Sequence, residues 1–230
     1  MPTFEEGNAP AALLTELRAL ATSLGGLAVY LVDDGSRKAL ELCAMPASTA
    51  AFDIVLARHA VNLGQGAALE TARQLALEDP RHRVFVTMDS DGQHRAEDVA
   101  ALVAAIDGGA DVAFGTRLGT ATRVPPVRRA ILWSARLFEY ALTRLWLSDA
   151  HNGFRAFGER ALRLVTITEN RMAHATEIRQ KVARYRRELR IVEVPVTVRY
   201  SRELVEKGQS SFGAVRILRE LLLRFLFRPQ

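Results

Sequence analysis

The sequence predicts an α/β domain built on a mostly parallel sheet with helices on both faces. Three observations carry that reading. In the first half of the chain, apolar runs of strand length alternate with segments whose apolar residues recur at helical spacing. The strand-like runs end abruptly in acidic turns, and the segment after the most acidic turn is helical and not a returning strand. A chain of 230 residues, 49% hydrophobic and 25% charged, is long enough to bury the core of one such domain. In sheets of this kind a ligand sits beyond the carboxyl ends of the strands.

Leu27 to Val32 (LAVYLV), Asp53 to Ala57 (DIVLA), Val84 to Met88 (VFVTM) and Asp111 to Phe114 (DVAF) read as buried strands. Ala11 to Leu24, Gln65 to Leu77 and Ala96 to Ile106 read as the helices between them, with Glu97 and Asp98 where a helix dipole favours acids and Pro80 closing the second. Beyond Gly115 the rhythm changes. A loop to Pro126 precedes a long amphipathic helix with Ile131, Ala135, Phe138, Leu142 and Leu145 on one stripe. A short strand is expected at Phe154 to Phe157 and a helix at Ala175 to Arg187. Arg190 to Tyr200 alternates as a strand, and Pro195 places it at an edge or a bulge. A last helix is expected from Phe212 to Phe227.

Composition narrows the function. No apolar run reaches the ~18 residues of a spanning helix, and the start lacks a basic region followed by an apolar run, which argues against membrane-embedded and secreted classes. The single cysteine, Cys43, allows no internal disulfide framework or cysteine-rich metal site, so a cytoplasmic location is expected. The net charge of +5 hides two opposite halves. Residues 1–115 hold 8 basic and 16 acidic side chains, and residues 116–230 hold 23 and 10. An acidic half suits metal and nucleotide chemistry, and a basic half suits a phosphate-bearing partner. No aromatic-rich stacking surface accompanies the basic half, so nucleic acid is not an expected partner.

The most informative segment is VFVTMDSDGQH, residues 84–94, in which a buried strand delivers Asp89 and Asp91 into a glycine turn. Two carboxylates one residue apart, with the amide oxygen of Gln93, form a partial oxygen shell for Mg²⁺ or Mn²⁺ shared with a diphosphate. An Asp-Gly turn closing a hairpin is the structural alternative. A second acidic turn, Asp33-Asp34-Gly35-Ser36, reaches the same sheet edge if the strands are parallel and could accept from ribose hydroxyls or a base. Asn62, Gly64 and Gly66 lie between a strand and a helix start, where glycine would let backbone N–H groups approach an anion.

Together these segments resemble glycosyltransferase family 2, the inverting GT-A enzymes, and are similar to the branch holding dolichyl-phosphate mannose synthases and bacterial polyprenyl-phosphate glycosyltransferases. Pro2-Thr3-Phe4-Glu5-Glu6 looks like the family's P-x-Y-N-E opening, residues 33–36 like its D-D-x-S, and residues 62–66 like its N-x-G-x-G. Residues 89–94 look like its D-x-D-G-Q-H, Gly115-Thr116-Arg117 like its G-x-R, and residues 149–157 (DAHNGFRAF) like its D-x-x-S-G-F-R-A-F. Glu193-Val194-Pro195-Val196 through Arg202 and residues 208–211 look like its E-V-P-I strand and the loop behind it. The family's first strand runs several residues before its proline, so here that strand is expected to be truncated, or missing with another segment in its place. Phe4 and Glu5 depart from the family's tyrosine and asparagine.

The resemblance implies a Rossmann-like GT-A domain over residues 1–210, with a nucleotide-binding half (1–115), an acceptor half (116–210) and a C-terminal amphipathic helix (211–230). It implies that Pro2, Phe4, Glu6, Asp33, Asp34 and Arg58 hold the nucleoside of a nucleotide-diphospho-sugar, and that Asp89, Asp91 and Gln93 hold a divalent metal. A sugar-hydroxyl acceptor would need a carboxylate base, for which Asp149 is the candidate, whereas a lipid phosphate needs only cations. Arg117, Arg123, Arg128, Arg129, Arg155, Arg199, Arg202 and Lys207 could supply them. Asp149 with Arg155 as a structural ion pair is the alternative. Asp91, Asp149 and Arg117 are the expected catalytic residues. The last helix could lie on the inner membrane face beside a polyprenyl phosphate, pack internally, or form a homodimer. A catalytically inactive nucleotide-sugar-binding subunit is the non-enzymatic reading. A haloacid-dehalogenase-type phosphatase is disfavoured because Gln93 stands where that class needs Thr or Val.

Overall fold

The first strand of the chain covers two residues, Pro2 and Thr3. The structure is a computed structural model that describes residues 1–117, 140, 145–149, 152–171 and 173–199. In chain order these form β1 (Pro2–Thr3), α1 (Ala9–Leu20), β2 (Leu27–Asp33), a 3₁₀ turn (Leu42–Ala44), β3 (Phe52–Arg58), α2 (Gln65–Glu78), β4 (Val84–Thr87), α3 (Asp98–Asp107) and β5 (Val112–Thr116). Then come β6 (Arg155–Gly158), α4 (Glu159–Leu164), α5 (His174–Arg184) and β7 (Ile191–Pro195).

The strands make two sheets, ordered β1-β2-β3 and β4-β6-β5-β7. The first is wholly parallel, with Leu27 opposite Phe52 through Asp33 opposite Arg58, and Pro2 and Thr3 opposite Val32 and Asp33. In the second, β6 runs antiparallel to both β4 and β5, while β5 and β7 are parallel. The mostly parallel α/β architecture expected from the sequence is therefore present, with β6 as the reversed strand. The second sheet combines β4 and β5 with β6 and β7, so the expected nucleotide and acceptor halves share one sheet.

Side-chain alternation divides the apolar residues between two cores, one on each face. Val29, Leu31, Val86 and Met88 pack with Leu13, Leu14 and Leu17 of α1 and Val99 and Leu102 of α3. Phe85, Val112, Phe114 and Phe157 pack with Leu69 of α2 and Ile178 and Val182 of α5.

Three boundaries differ from expectation. The apolar spacing of α1 continues to Leu24, but the helix ends at Leu20. There Ala21 bonds back to Arg18, and Gly25 and Gly26, with φ of 74° and 119°, turn the chain into β2. Helix α5 ends at Arg184, where Tyr185 and Arg186 close three-residue turns onto Val182 and Ala183. The alternation from Arg190 to Tyr200 yields a strand only as far as Pro195; the Val196 N–H still reaches the Thr116 carbonyl (2.9 Å), so the proline's missing N–H falls on the unpaired outer side of β7, as on an edge strand. The helices expected around Ile131 to Leu145 and Phe212 to Phe227 lie outside the described residues, apart from Tyr140 and Leu145. Among the described residues, no helix is long and apolar enough to cross a membrane.

Candidate functional site

Three parallel strands end at one edge of the first sheet, bringing Phe4, Glu5 and Glu6 beside Asp33 to Ser36 and Arg58 and His59. Asp33 is buried; its Oδ1 accepts the N–H of Ser36 (3.0 Å), and its Oδ2 lies 3.3 Å from Nε of Arg58. Arg58 also donates through Nη2 to the Ser36 carbonyl (2.8 Å). Asp34, also buried, accepts the N–H groups of Leu63 (3.0 Å) and Gly64 (2.7 Å) and meets His59 Nδ1 at 2.7 Å. His59 Nε2 in turn meets Thr71 Oγ1 at 2.9 Å. The acidic pair thus holds its own turn and the loop after β3 in place. Glu5 has φ 56°, uncommon for a residue with a side chain, and is held by its N–H to Ser36 Oγ (3.0 Å) and its carboxylate to the Arg37 N–H (2.9 Å). Phe4 stands 44% exposed, whereas Pro2 is buried.

The glycine loop does not serve as the sequence suggested. The N–H groups of Gly66 and Ala67, at the start of α2, point to the carbonyl of Asn170 at 2.8 and 3.4 Å. A Cβ on Gly64 would lie 2.3 Å from that oxygen, and one on Gly66 would lie 1.9 Å from the Glu169 oxygen. These glycines let another stretch of backbone pack against them, and a carbonyl occupies the helix end where a phosphate was expected.

The acidic turn after β4 is tied to β1, because Ser90 Oγ donates to the Pro2 carbonyl (2.8 Å). Asp91 Oδ1 accepts the Gln93 N–H (2.9 Å) within the turn, and Gly92 supplies its positive φ of 77°. The alternative of a hairpin fails, since the chain continues into α3 and the strand opposite β4 is the distant β6. Asp89 Oδ1 accepts from Gln65 Nε2 (2.8 Å), and Oδ2 lies 3.6 Å from His94 Nε2. Gly153 passes so close that a Cβ there would fall 2.6 Å from that oxygen. Burial pushes the Asp89 carboxyl up, but the His94 hydrogen bond and the charges of His94, Arg155 and His174 outweigh it and hold the group below its ordinary value. Glu6 goes the other way. Burial first, then the negative charges of Asp91 and Asp89, raise it, so the space around these carboxylates is negative in charge.

That space suits a cation of a particular kind. Among the described residues, no three His, Cys, Asp or Glu side chains close on one point as a ready-made shell. The donor set fits a hard divalent ion that takes one or two carboxylates from the protein and its remaining oxygens from a diphosphate and water.

Two further expectations change. Arg155 is 2% exposed and packs beneath the site, with Asp89 and Asp149 as its nearest opposing charges. Burial, and then the charge of Arg179, push it down to about 10. Its charge helps hold the Asp89 carboxyl down, and so deeply buried it is not a surface cation for an acceptor. The ion-pair partner of Asp149 is not Arg155 but Arg117, whose Nε and Nη2 reach the two carboxylate oxygens at 2.5 and 2.7 Å. Ser148 donates its N–H (2.6 Å) and Oγ (3.0 Å) to Glu193 of β7, which fixes the segment that carries Asp149. Arg199 is exposed. Arg123, Arg128, Arg129, Arg202 and Lys207 lie outside the described residues.

Sequence reasoning missed His59, Gln65, His94 and Gly153 as supports of the carboxylates. Gln65 and His94 both lie inside quoted motifs, but nothing in their spacing shows that they converge on Asp89. Among the described residues, His94 Nδ1, Asn152 Nδ2 and Arg155 Nη1 are buried polar atoms without a hydrogen-bond partner.

Residues 1–165 match the family model described as Glycosyl transferase family 2. A polyprenol monophosphomannose synthase of Mycolicibacterium smegmatis is 29% identical over 174 residues, covering 74% of this chain and 65% of that protein. An undecaprenyl-phosphate mannosyltransferase of Micrococcus luteus is 33% identical over 133 residues, covering 55% of this chain and 53% of that protein. The chain thus spans about two thirds of one of these relatives and about half of the other. Among solved structures, glucosyl-3-phosphoglycerate synthase from Mycobacterium tuberculosis, in complex with Mn²⁺, UDP-glucose and phosphoglyceric acid, superposes with a TM-score of 0.56 at 17% identity, covering 97% of this chain and 77% of that one.

Proposed function

The chain belongs to glycosyl transferase family 2 and has its GT-A fold, and within that family we propose a metal-dependent, inverting transfer of a sugar from a nucleotide-diphospho-sugar to a polyprenyl phosphate. The observation that carries the proposal is the acidic turn of Asp89 and Asp91 after β4, which Ser90 ties to β1 beside the ends of the first sheet's strands by donating to the Pro2 carbonyl. Asp89 and Asp91, with the amide oxygen of Gln93, would hold Mg²⁺ or Mn²⁺. A cation there would offset the charge that develops on a departing diphosphate. Gln65 and His94 orient Asp89, and the turn's own N–H from Gln93 orients Asp91. Phe4, Glu6 and Arg58 would line the nucleoside end, where Phe4 offers an exposed ring and Arg58 a half-exposed guanidinium, and the buried Pro2, Asp33 and Asp34 would hold the turns that shape it.

The chemistry is a single displacement. An acceptor oxygen forms a bond to the anomeric carbon, the bond from that carbon to the diphosphate oxygen breaks, and the nucleoside diphosphate leaves with the electron pair. A phosphate monoester arrives as an anion and needs no base. The ion pair of Asp149 with Arg117 supports that acceptor class: a general base would first have to give up its arginine, whereas a carboxylate that aims an arginine suits phosphate binding. The names of the mycobacterial and Micrococcus relatives point the same way. Work at the inner membrane face, through residues 211–230 or a homodimer, concerns residues outside those described.

A transfer assay with a panel of nucleotide sugars and a short-chain polyprenyl phosphate tests the reading. The expected product is a lipid-linked sugar of inverted anomeric configuration that disappears when EDTA removes the metal. Transfer to a sugar hydroxyl instead of the lipid phosphate, or turnover indifferent to EDTA, would contradict it.

A further inference from the structure

Residues 166–171 cross the head of α2 as a strap fastened along its length. The Ile167 N–H donates to Glu70 of α2 (2.9 Å), and the Thr168 and Glu169 N–H groups donate to Glu177 of α5 (both 2.9 Å). Lys181 Nζ reaches the Thr166 carbonyl at 2.5 Å. The Asn170 carbonyl accepts the Gly66 N–H (2.8 Å), and the Arg171 carbonyl accepts the His174 N–H (3.1 Å) and meets His174 Nδ1 (2.7 Å). A surface connection held this firmly fixes where its side chains stand. One of them is Arg171, which is exposed and whose Cγ lies 3.0 Å from the position a Gly64 Cβ would take. Gly64 adjoins both acidic turns: its own N–H donates to Asp34 Oδ2 (2.7 Å), and the next residue, Gln65, donates to Asp89 Oδ1 (2.8 Å). The stem of Arg171 therefore crosses the short backbone span that links the nucleoside end to the turn of Asp89 and Asp91.

We propose that Arg171 is a diphosphate-binding residue, whose guanidinium takes the phosphate oxygens of the donor held at Asp89 and Asp91; the inference rests on the proposed function. Charge matching singles this side chain out. Arg58 is paired with Asp33 and Arg117 with Asp149, while Arg155 is buried with Asp89 and Asp149 as its opposing charges. Among the described residues, Arg171 has no carboxylate partner of that kind. The strap also changes what α2 can offer. Its Asn170 carbonyl occupies the helix N–H groups that an anion would otherwise use, and the very next residue brings a cation to the same place. A nucleoside diphosphate carries more negative charge than one divalent ion offsets, and the planar fork of an arginine can meet two of its oxygens at once. Charge on the diphosphate grows as its bond to the anomeric carbon breaks, so a guanidinium fixed beside it binds the departing group more tightly than the intact donor.

Calorimetry on the full chain, with UDP and GDP as probes with and without Mn²⁺, compares the wild type with Arg171→Ala and Arg171→Lys. Arg171→Ala is expected to weaken binding of the preferred diphosphate in Mn²⁺ by roughly 10- to 50-fold, and Arg171→Lys should recover part of that loss. Mn²⁺ should still tighten binding to both variants, because its carboxylates are untouched. The thermal midpoint should stay within about one degree of the wild type, since the side chain is exposed and every backbone bond of the strap is kept. Equal diphosphate affinity in the wild type and Arg171→Ala would overturn the proposal, and so would a loss that comes with a lowered midpoint and no recovery in Arg171→Lys. A loss confined to binding of a short-chain polyprenyl phosphate would overturn the assignment to the donor. A wild type that binds neither diphosphate in Mn²⁺ would sink the proposed function itself, whereas Mn²⁺-dependent binding indifferent to Arg171 would sink this inference alone.

Discussion

At Gly66 the absence of a side chain is a packing requirement, since a Cβ there would overlap the Glu169 carbonyl at 1.9 Å. Gly66→Ala is expected to cost about 3 kcal/mol or more, read as a lowered urea midpoint at unchanged m-value. Gly92 offers the opposite case. Its φ of 77° resists a side chain, but nothing lies within 4 Å of its Cβ position, so Gly92→Ala should cost only about 1–2 kcal/mol. Asp89 depends on neighbours that hold it. Gln65→Ala removes the 2.8 Å hydrogen bond to its Oδ1 and should weaken metal-supported nucleotide binding by roughly tenfold while leaving the fold intact, as checked by calorimetry and circular dichroism. The individual carboxylates were legible in the sequence because two acids leaving an apolar strand into a glycine turn are a local pattern. Their partners were not, because Gln65, His94 and Gly153 reach Asp89 through long-range folding that no spacing encodes. Arg155 was misplaced for a related reason: a sequence shows charge but not depth, and this arginine's charge is opposed from inside the molecule.

Helix α5 fastens the 166–169 segment through one carboxylate. Glu177 accepts the backbone N–H groups of Thr168 and Glu169 and the Thr168 hydroxyl, and pairs with Lys181 at 2.7 Å. Burial pushes this carboxyl up, but Lys181, Thr168 and the two backbone donors outweigh it and hold it at about 2, below its ordinary 4.5. A depressed folded value adds stability above pH 4.5 that is lost as the pH falls toward 2. Glu177→Gln should therefore be less stable near neutrality and should lose part of the wild-type decline between those pH values, as measured by denaturant titrations at stepped pH. Element identity was well marked by apolar periodicity, but three ends were not. Helix α1 stops where two glycines take positive φ, α5 stops by tightening its last turn, and β7 runs only to Pro195 although the Val196 N–H still reaches the Thr116 carbonyl. Each is a backbone event that side-chain periodicity does not report.

On the scale of the whole molecule, strands alternating with helices sufficed to read a mostly parallel α/β fold. The opposite charges of the two halves acquire a place as well: acidic turns collect at one sheet edge, while Arg117 and Arg155 come to the same region from the basic half. A cation gripped by Asp89 and Asp91 would also hold a diphosphate, which isothermal calorimetry of a nucleoside diphosphate with and without Mn²⁺ measures. Mn²⁺ is expected to tighten binding by at least about tenfold in the wild type and hardly at all in Asp91→Asn. Binding that ignores Mn²⁺ and is the same in both proteins would contradict it.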